Sequence, residues 1–185
     1  MTRRTDRTSK FLSYVLRHRP ESIGLELDEA GWVRVDELLA ACRSHNHAIS
    51  RAELEEAVRT NDKRRFSFSP DRLKIRANQG HSVSIDLALD PLEPPELLYH
   101  GTVARFLDPI RQEGLVRGKR HHVHLSGDEL TARRVGQRRG KPVVLVVEAG
   151  RMHGDGHEFY RSANGVWLTE SVPPPYLRFP EEPST

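Results

Sequence analysis

Apolar and polar residues alternate on both sides of a Ser-Pro-Asp turn signal between residues 62 and 82. The apolar positions are Phe66 and Phe68 before the turn and Leu73 and Ile75 after it. Successive strand residues point to opposite faces, so this pattern predicts a β-hairpin with one apolar face. The other face would then carry three cations: Arg65, Lys74 and Arg76.

Helical spacing of apolar residues predicts three short helices before this hairpin. We expect the first helix from about Lys10 to Arg17, because Thr8 and Ser9 can cap it and Pro20 prevents its continuation. Asp36 is the expected cap of the second helix, and the capping-box pattern at 50–53 opens the third. Three short helices and a two-stranded wing are typical of a winged-helix module. Such modules usually bind nucleic acid, although many serve only as interaction domains.

A proline-rich stretch at 90–95 predicts a stiff linker between a first domain, 1–89, and a second, 90–185. Short strands alternate with short helices beyond it, and the apolar run 142–148 is the expected central strand. Asn164-Gly165 is a strong signal for a further hairpin. We therefore predict an α+β fold in which the second domain has an antiparallel or mixed sheet.

Composition narrows the class of protein. The 185 residues are 36% hydrophobic and 30% charged, and the formal net charge is +3. This mild basic excess is compatible with a polyanionic partner. A single cysteine, Cys42, excludes an intrachain disulfide, and we expect a cytoplasmic protein without membrane spans.

Several cofactor motifs are missing from the sequence. It contains neither a Walker loop nor a GxGxxG fingerprint. His122 and His124 would share a strand face, and Cys42 lies near His45 and His47, but neither group has further ligands at zinc spacing. We therefore expect no metal.

Seven short motifs, in order between Ser9 and Tyr176, together resemble the RNA 2′-phosphotransferases. They are Leu-Arg-His-Arg-Pro at 16–20, Lys-Arg-Arg-Phe at 63–66, Ile-Arg-Ala-Asn-Gln-Gly-His-Ser at 75–82, Leu-Tyr-His-Gly-Thr at 98–102, His-Val-His-Leu-Ser at 122–126, Val-Gly-Gln-Arg-Arg-Gly-Lys-Pro at 135–142 and Asn-Gly-Val-Trp-Leu-Thr at 164–169. The resemblance implies an ADP-ribosyltransferase-like second domain and NAD as co-substrate. It also implies transfer of an internal RNA 2′-phosphate to NAD, with release of nicotinamide and ADP-ribose 1″,2″-cyclic phosphate.

The resemblance also implies roles for individual residues. A catalytic tetrad would consist of Arg17, His18, Arg65 and Arg138. The NAD-binding residues would be His100, Gly101, Thr102, His124 and Ser126. Arg76, Asn78 and His81 would extend the contact to RNA or brace the junction between the two domains. Arg139 stands where many relatives have histidine, and the glutamate with which many protein-modifying ADP-ribosyltransferases fix the nicotinamide ribose has no clear equivalent.

Other functions remain compatible with the residues themselves. Taken alone, residues 17–19 are a charged helix end, and the cations at 133–141 are a solvated helix face. The alternatives are an ADP-ribosyltransferase acting on protein or nucleic-acid ends and a non-catalytic winged-helix regulator. The expected partners are 2′-phosphorylated RNA and NAD, and we expect a monomer because no extended apolar interface is apparent.

Overall fold

The computed structural model describes residues 3–83, 85 and 87–180, and for residues 3 and 4 it describes the backbone alone. The chain forms two compact units, Met1–Ala88 and Leu89–Thr185. Both units combine helices with small sheets, and every described strand pair is antiparallel. The chain is therefore α+β, as predicted.

The described part of the first unit contains three α-helices and a three-stranded sheet. Its elements are α1 (Arg3–Arg17), β1 (Val33–Arg34), α2 (Val35–Ser44), α3 (Arg51–Arg59), β2 (Phe66–Phe68) and β3 (Lys74–Ala77), with the strands in the order β1-β3-β2. The predicted hairpin is confirmed, since Phe66 pairs with Ala77 and Phe68 with Ile75. The prediction that Leu73 belongs to the apolar face was wrong, because Leu73 lies before the strand and is 52% exposed.

Two helix starts differ from the prediction, and one is confirmed. Helix α1 begins at Arg3, and Ser9, an expected cap, is buried within it. Arg34 is the N-cap of α2, whereas Asp36 lies in the first turn and accepts hydrogen bonds from the Arg34 guanidinium. The Ser50 capping box is present in full. The sequence pattern thus identified the helix start correctly only at Ser50, where the capping side chain is hydrogen-bonded to the helix backbone. The side chains of Ser9 and Asp36 are hydrogen-bonded to other side chains.

The second unit has three helices and eight short strands in its described part. They are β4 (Leu98–Val103), α4 (Leu107–Glu113), β5 (Leu115–Val116), β6 (Val123–Leu125), α5 (Glu129–Gly136), β7 (Pro142–Val147), α6 (Ala149–Gly154), β8 (Tyr160–Arg161), β9 (Trp167–Thr169), β10 (Ser171–Val172) and β11 (Leu177–Arg178). The sheets have the orders β11-β7-β4, β6-β9-β8 and β10-β5. The run at 142–148 does supply a central strand, and the Asn-Gly hairpin joins β8 to β9.

Helix α6 and strand β5 did not emerge from the sequence pattern. Helix α6 contains two glycines, which disfavour helix by about 1 kcal/mol each relative to alanine. Tertiary contacts offset that cost, because Met152 is fully buried and the amide of Gly150 donates to the carbonyl of Glu96. Part of the predicted linker is also bound to the second unit, since the backbone N–H of Leu92 donates to the Phe159 carbonyl.

Helix α5 lies unusually close to strand β4. A Cβ atom at Gly101 of β4 would overlap the carbonyl oxygen of Ala132 and lie 2.8 Å from the amide nitrogen of Gly136, both in α5. A Cβ atom at Gly136 would lie 2.8 Å from the Thr102 carbonyl oxygen. The two backbones therefore touch, which only glycine permits.

Gly101→Ala should lower the free energy of unfolding by about 1–3 kcal/mol, because the helix must move away from the strand to admit a methyl group. Urea denaturation measures the loss. Gly154→Ala is the matched control, since no atom lies within 4 Å of a Cβ placed there. Equal stability of the two variants would contradict the close packing.

Candidate active site

In the first unit, the end of α1 places two members of the predicted tetrad. Arg17 is the last residue of the helix and His18 follows it, because Pro20 begins a 3-10 turn. The imidazole Nδ1 of His18 lies 2.9 Å from the Ser82 hydroxyl oxygen, and the Ser82 amide donates to the Arg17 carbonyl at 2.8 Å. The segment after the hairpin thus holds the end of the helix.

A third tetrad member, Arg65, lies beside Arg17. The Arg17 Nη2 atom donates to the Arg65 carbonyl oxygen at 3.4 Å, and its guanidinium lies 6.0 Å from the centre of the Phe66 ring. Arg65 is half-buried, whereas its neighbour Arg64 is exposed and has a positive φ of 41°. The structure therefore brings Arg17, His18 and Arg65 to one region of the first unit.

Buried amide side chains hold the loop that carries Arg65. Asn61 donates to the Ser9 hydroxyl at 2.7 Å and accepts from the Arg65 amide at 3.2 Å. The Asn78 side chain donates through Nδ2 to the Arg64 carbonyl at 2.6 Å, and the backbone N–H of Asn78 donates to the Arg65 carbonyl at 2.9 Å. Helix α1 and the end of β3 together fix the backbone of the loop. Sequence reasoning missed Asn61 and Ser9, because their partnership spans more than 50 residues.

The residues predicted to contact RNA are more enclosed than expected for a binding surface. Asn78 is 4% exposed and His81 is 2% exposed. Arg76 is half-buried, lies 4.5 Å from the Trp32 ring centre and donates to the Ala30 carbonyl at 3.4 Å. Burial lowers the pKa of Arg76. These contacts hold Arg76 within the first unit. Contact with RNA and bracing of the domain junction stay predictions.

In the second unit, strands β4 and β6 bring the two predicted histidines together. Tyr99 and Ser126 exchange backbone hydrogen bonds of 2.9 and 2.8 Å, which joins the strands side by side. The His100 Nδ1 atom then lies 3.2 Å from the carbonyl oxygen of His124. Ser126 is half-buried at this junction. Thr102 is buried, at 5% exposure, and Gly101 packs on α5.

A cluster of arginines surrounds these histidines. Arg138 and Arg139 form the 3-10 turn after α5, and Arg120 lies with Nη1 2.6 Å from Nδ1 of His124. Burial lowers the pKa of His100, the bond to the His124 carbonyl raises it, and the charges of Arg139 and Arg120 lower it further. A lowered pKa keeps His100 neutral at pH 7. Arg120 was missed because it lies in a loop, where no periodic pattern marks it.

The cations of this region fall into two groups. Arg133 on α5 pairs with Glu129 at 2.7 Å, as expected of a solvated helix face. Within the described ranges, Arg120, Arg138 and Arg139 form no ion pair. Arg120 is exposed as a whole residue, but partial enclosure of its guanidinium lowers its pKa, and the nearby charges of Arg139 and Arg138 lower it further. An anion would relieve this mutual repulsion, so the cluster is a candidate anion site.

Within 3–83, 85 and 87–180, no group of three or more histidine, cysteine, aspartate or glutamate side chains is arranged to hold a metal ion. In the same residues no helix is long and apolar enough to cross a membrane.

Comparison with known proteins identifies the family. The family model for "RNA 2'-phosphotransferase, Tpt1 / KptA family" matches residues 3–171, which is most of the chain. The chain belongs to this family. The match therefore supports a transferase that removes a 2′-phosphate from RNA.

Individual relatives agree with the family match. The probable RNA 2′-phosphotransferase of Streptomyces griseus is 59% identical over 182 residues, covering 95% of this chain and 96% of its own. The proteins of the same name from Rhodopirellula baltica and Agrobacterium fabrum are 56% and 57% identical. They cover 94% and 92% of this chain, and 95% and 91% of their own chains.

Asn78→Ala should lower the free energy of unfolding by about 1–3 kcal/mol, because the Arg64 carbonyl oxygen loses its donor. The variant should also lose more transferase activity than its stability loss explains, since the loop that presents Arg65 loosens. Gln79→Ala, at the adjacent half-buried position, is the control. Activity of Asn78→Ala equal to that of the control, at a temperature where both are folded, would refute the role of this amide.

Proposed function

We propose that this protein is an NAD-dependent RNA 2′-phosphotransferase that moves an internal RNA 2′-phosphate onto NAD. The observation that carries the proposal is the hydrogen bond of the Arg17 guanidinium to the backbone carbonyl of Arg65, which brings residue 65 next to Arg17 and to His18 at the end of α1. Membership of the family supports the RNA substrate. The proposal assigns phosphate binding to the first unit, with a winged-helix-like architecture, and NAD binding to the second, with an ADP-ribosyltransferase-like architecture.

Arginine suits the binding of a 2′-phosphate. A guanidinium presents its donors in a planar fork that matches phosphate oxygens, and it stays protonated at all physiological pH values. We assign Arg17, His18 and Arg65 to the phosphate. The Asn61 and Asn78 hydrogen bonds favour this role, because a ligand held by a fixed backbone loses less entropy on reaching the reactive geometry.

In the first proposed step, a phosphate oxygen attacks the anomeric carbon of the nicotinamide ribose, and nicotinamide leaves with the electrons of the glycosidic bond. The phosphate is already an anionic nucleophile, so this step needs no general base. It requires that the two reactants be held close together and that the phosphate charge be only partly neutralised. This agrees with the lack of a clear equivalent of the ribose-fixing glutamate.

In the second proposed step, the ribose 2″-hydroxyl attacks phosphorus, and the RNA 2′-oxygen leaves and takes a proton. Charge builds on the transferring phosphoryl group, and cations stabilise that transition state. We assign Arg138 to this step. Arg138 belongs to the arginine cluster of the second unit, which forms no ion pair with the described residues, and this position favours the assignment. His18 is the candidate proton carrier, because histidine titrates near neutral pH.

The second unit carries the residues that we assign to NAD. His100, Thr102, His124 and Ser126 come from β4, β6 and the junction between those strands. Gly101 serves this region indirectly, since its lack of a side chain allows α5 to approach β4. Arginines beside two histidines provide positive charge near a dinucleotide that carries phosphates.

The test is an assay with a 2′-phosphorylated oligonucleotide, with and without NAD. We expect loss of the 2′-phosphate and release of nicotinamide only when NAD is present. Equal phosphate loss without NAD would refute the mechanism. Transfer of labelled ADP-ribose to acceptors that lack a 2′-phosphate would instead indicate an ADP-ribosyltransferase of different specificity.

Two variants should separate the steps. Arg138→Ala should slow the second step roughly 100-fold or more and let 2′-phospho-ADP-ribosylated RNA accumulate, because it removes one stabilising cation. Arg65→Ala should fail before that intermediate forms. Gel analysis of the labelled RNA distinguishes the two.

Arg133→Ala is the matched control, since Arg133 lies on α5 but is paired with Glu129. It should retain activity close to that of the unmodified protein. Full activity of both Arg138→Ala and Arg65→Ala would refute the site assignment.

A further inference from the structure

The contact between Arg120 and His124 determines which ring nitrogen of His124 carries a proton. The Arg120 Nη1 atom lies 2.6 Å from Nδ1 of His124. A guanidinium has donors but no acceptor, and it remains protonated at neutral pH even when burial and other cations lower the pKa. Nδ1 of His124 must therefore accept the hydrogen bond. The ring is then neutral, with its proton on Nε2.

The neighbouring histidine is held in the opposite state. Nδ1 of His100 lies 3.2 Å from the carbonyl oxygen of His124, which can only accept. Nδ1 of His100 must therefore carry a proton. The lowered pKa of this ring keeps it neutral at pH 7, so its Nε2 is an acceptor.

We propose that Arg120 is a positioning residue of the NAD site, which acts by holding His124 as the neutral Nε2–H tautomer, while the His124 carbonyl holds His100 as the Nδ1–H tautomer. This inference rests on the proposed function for its ligand. Without Arg120, the His124 ring could take either tautomer or a second proton. A fraction of the molecules would then present an acceptor or a positive charge where the intact protein presents a donor.

The location of Arg120 supports a dedicated role. Its guanidinium reaches the ring of His124, a residue four positions away in β6. Within the described ranges it has no carboxylate partner. Arg117, in the same segment, instead reaches the backbone carbonyl of His121 at 3.5 Å. The two arginines therefore form a natural pair of test and control positions.

Long-range ¹H–¹⁵N spectra of the ¹⁵N-labelled protein without NAD test the tautomers directly. His124→Gln and His100→Gln variants identify the two sets of ring signals. At pH 7.5 we expect a protonated Nε2 on His124 and a protonated Nδ1 on His100. A His124 ring protonated on Nδ1, or on both nitrogens, would overturn the proposal, and this measurement needs no substituted Arg120.

Arg120→Met should let the His124 Nδ1 and Nε2 shifts move towards each other, as two tautomers exchange. The KM for NAD should rise roughly tenfold or more, the range expected when a hydrogen bond to a charged group is lost, with a smaller change in kcat. Arg117→Met should change neither, and Arg120→Lys, which keeps a charged donor, should restore part of both. Unchanged His124 shifts in Arg120→Met would refute the role of Arg120.

The proposed function and the positioning role of Arg120 can be refuted separately. If the unmodified protein consumes no NAD, the proposed function fails, while the spectra still decide the tautomer of His124. If NAD is consumed and the KM for NAD is the same in Arg120→Met as in Arg117→Met, the positioning role fails and the proposed function stands.

Discussion

The second unit depends on the direct contact between the backbones of α5 and β4. Gly101 and Gly136 leave no room for a Cβ atom, so the helix packs onto the strand at a separation that other residues would prevent. The 3-10 turn that follows Gly136 carries Arg138 and Arg139. A small change in this packing would move both cations. A glycine that looks like a ligand-binding position in sequence can therefore act on the site through the position of a helix.

In the first unit, buried hydrogen bonds fix the position of the loop that carries Arg65. The loop from Asn61 to Arg65 has no regular secondary structure, and Arg64 adopts a positive φ, which is uncommon for a residue with a side chain. The Asn61 and Asn78 amides supply the partners that this backbone lacks. Buried amides cost free energy unless they are hydrogen-bonded, so each bond both stabilises the unit and fixes the loop. Arg65 thereby gains a defined position without a helix or strand of its own.

Charge pairing separates structural cations from candidate functional ones in the second unit. Arg133 and Arg151 have carboxylate partners within one helical turn. Arg120, Arg138 and Arg139 are close enough to one another for their charges to interact, and ion pairs do not neutralise them in the part of the chain that the structure describes. Clustering like charges destabilises a fold, so the arrangement is easier to understand if an anionic ligand offsets it. The same electrostatic field favours neutral histidines.

Much of the fold could be predicted from the sequence, because the controlling interactions are local. The hairpin at 66–77, the Ser50 capping box, the end of α1 before Pro20, the central strand β7 and the Asn-Gly hairpin all follow from residues close in sequence. Elements that depend on distant partners were missed or displaced. Helix α6 contains glycines that only tertiary packing can accommodate, and Ser9 was mistaken for a cap although its partner is Asn61.

The candidate site divides in the same way. Motifs in the sequence propose His18, Arg65, His100, His124 and Arg138 as candidate site residues, since the order and identity of residues carry the family resemblance. The tertiary structure decided how these residues are held: the amides that fix the Arg65 loop, the glycine contact that places Arg138, and the Arg120 guanidinium on His124. The reason is physical. Residue types and local spacing determine which chemistry the chain can offer, whereas hydrogen bonds and close contacts between distant segments exist only after folding and determine where that chemistry is presented.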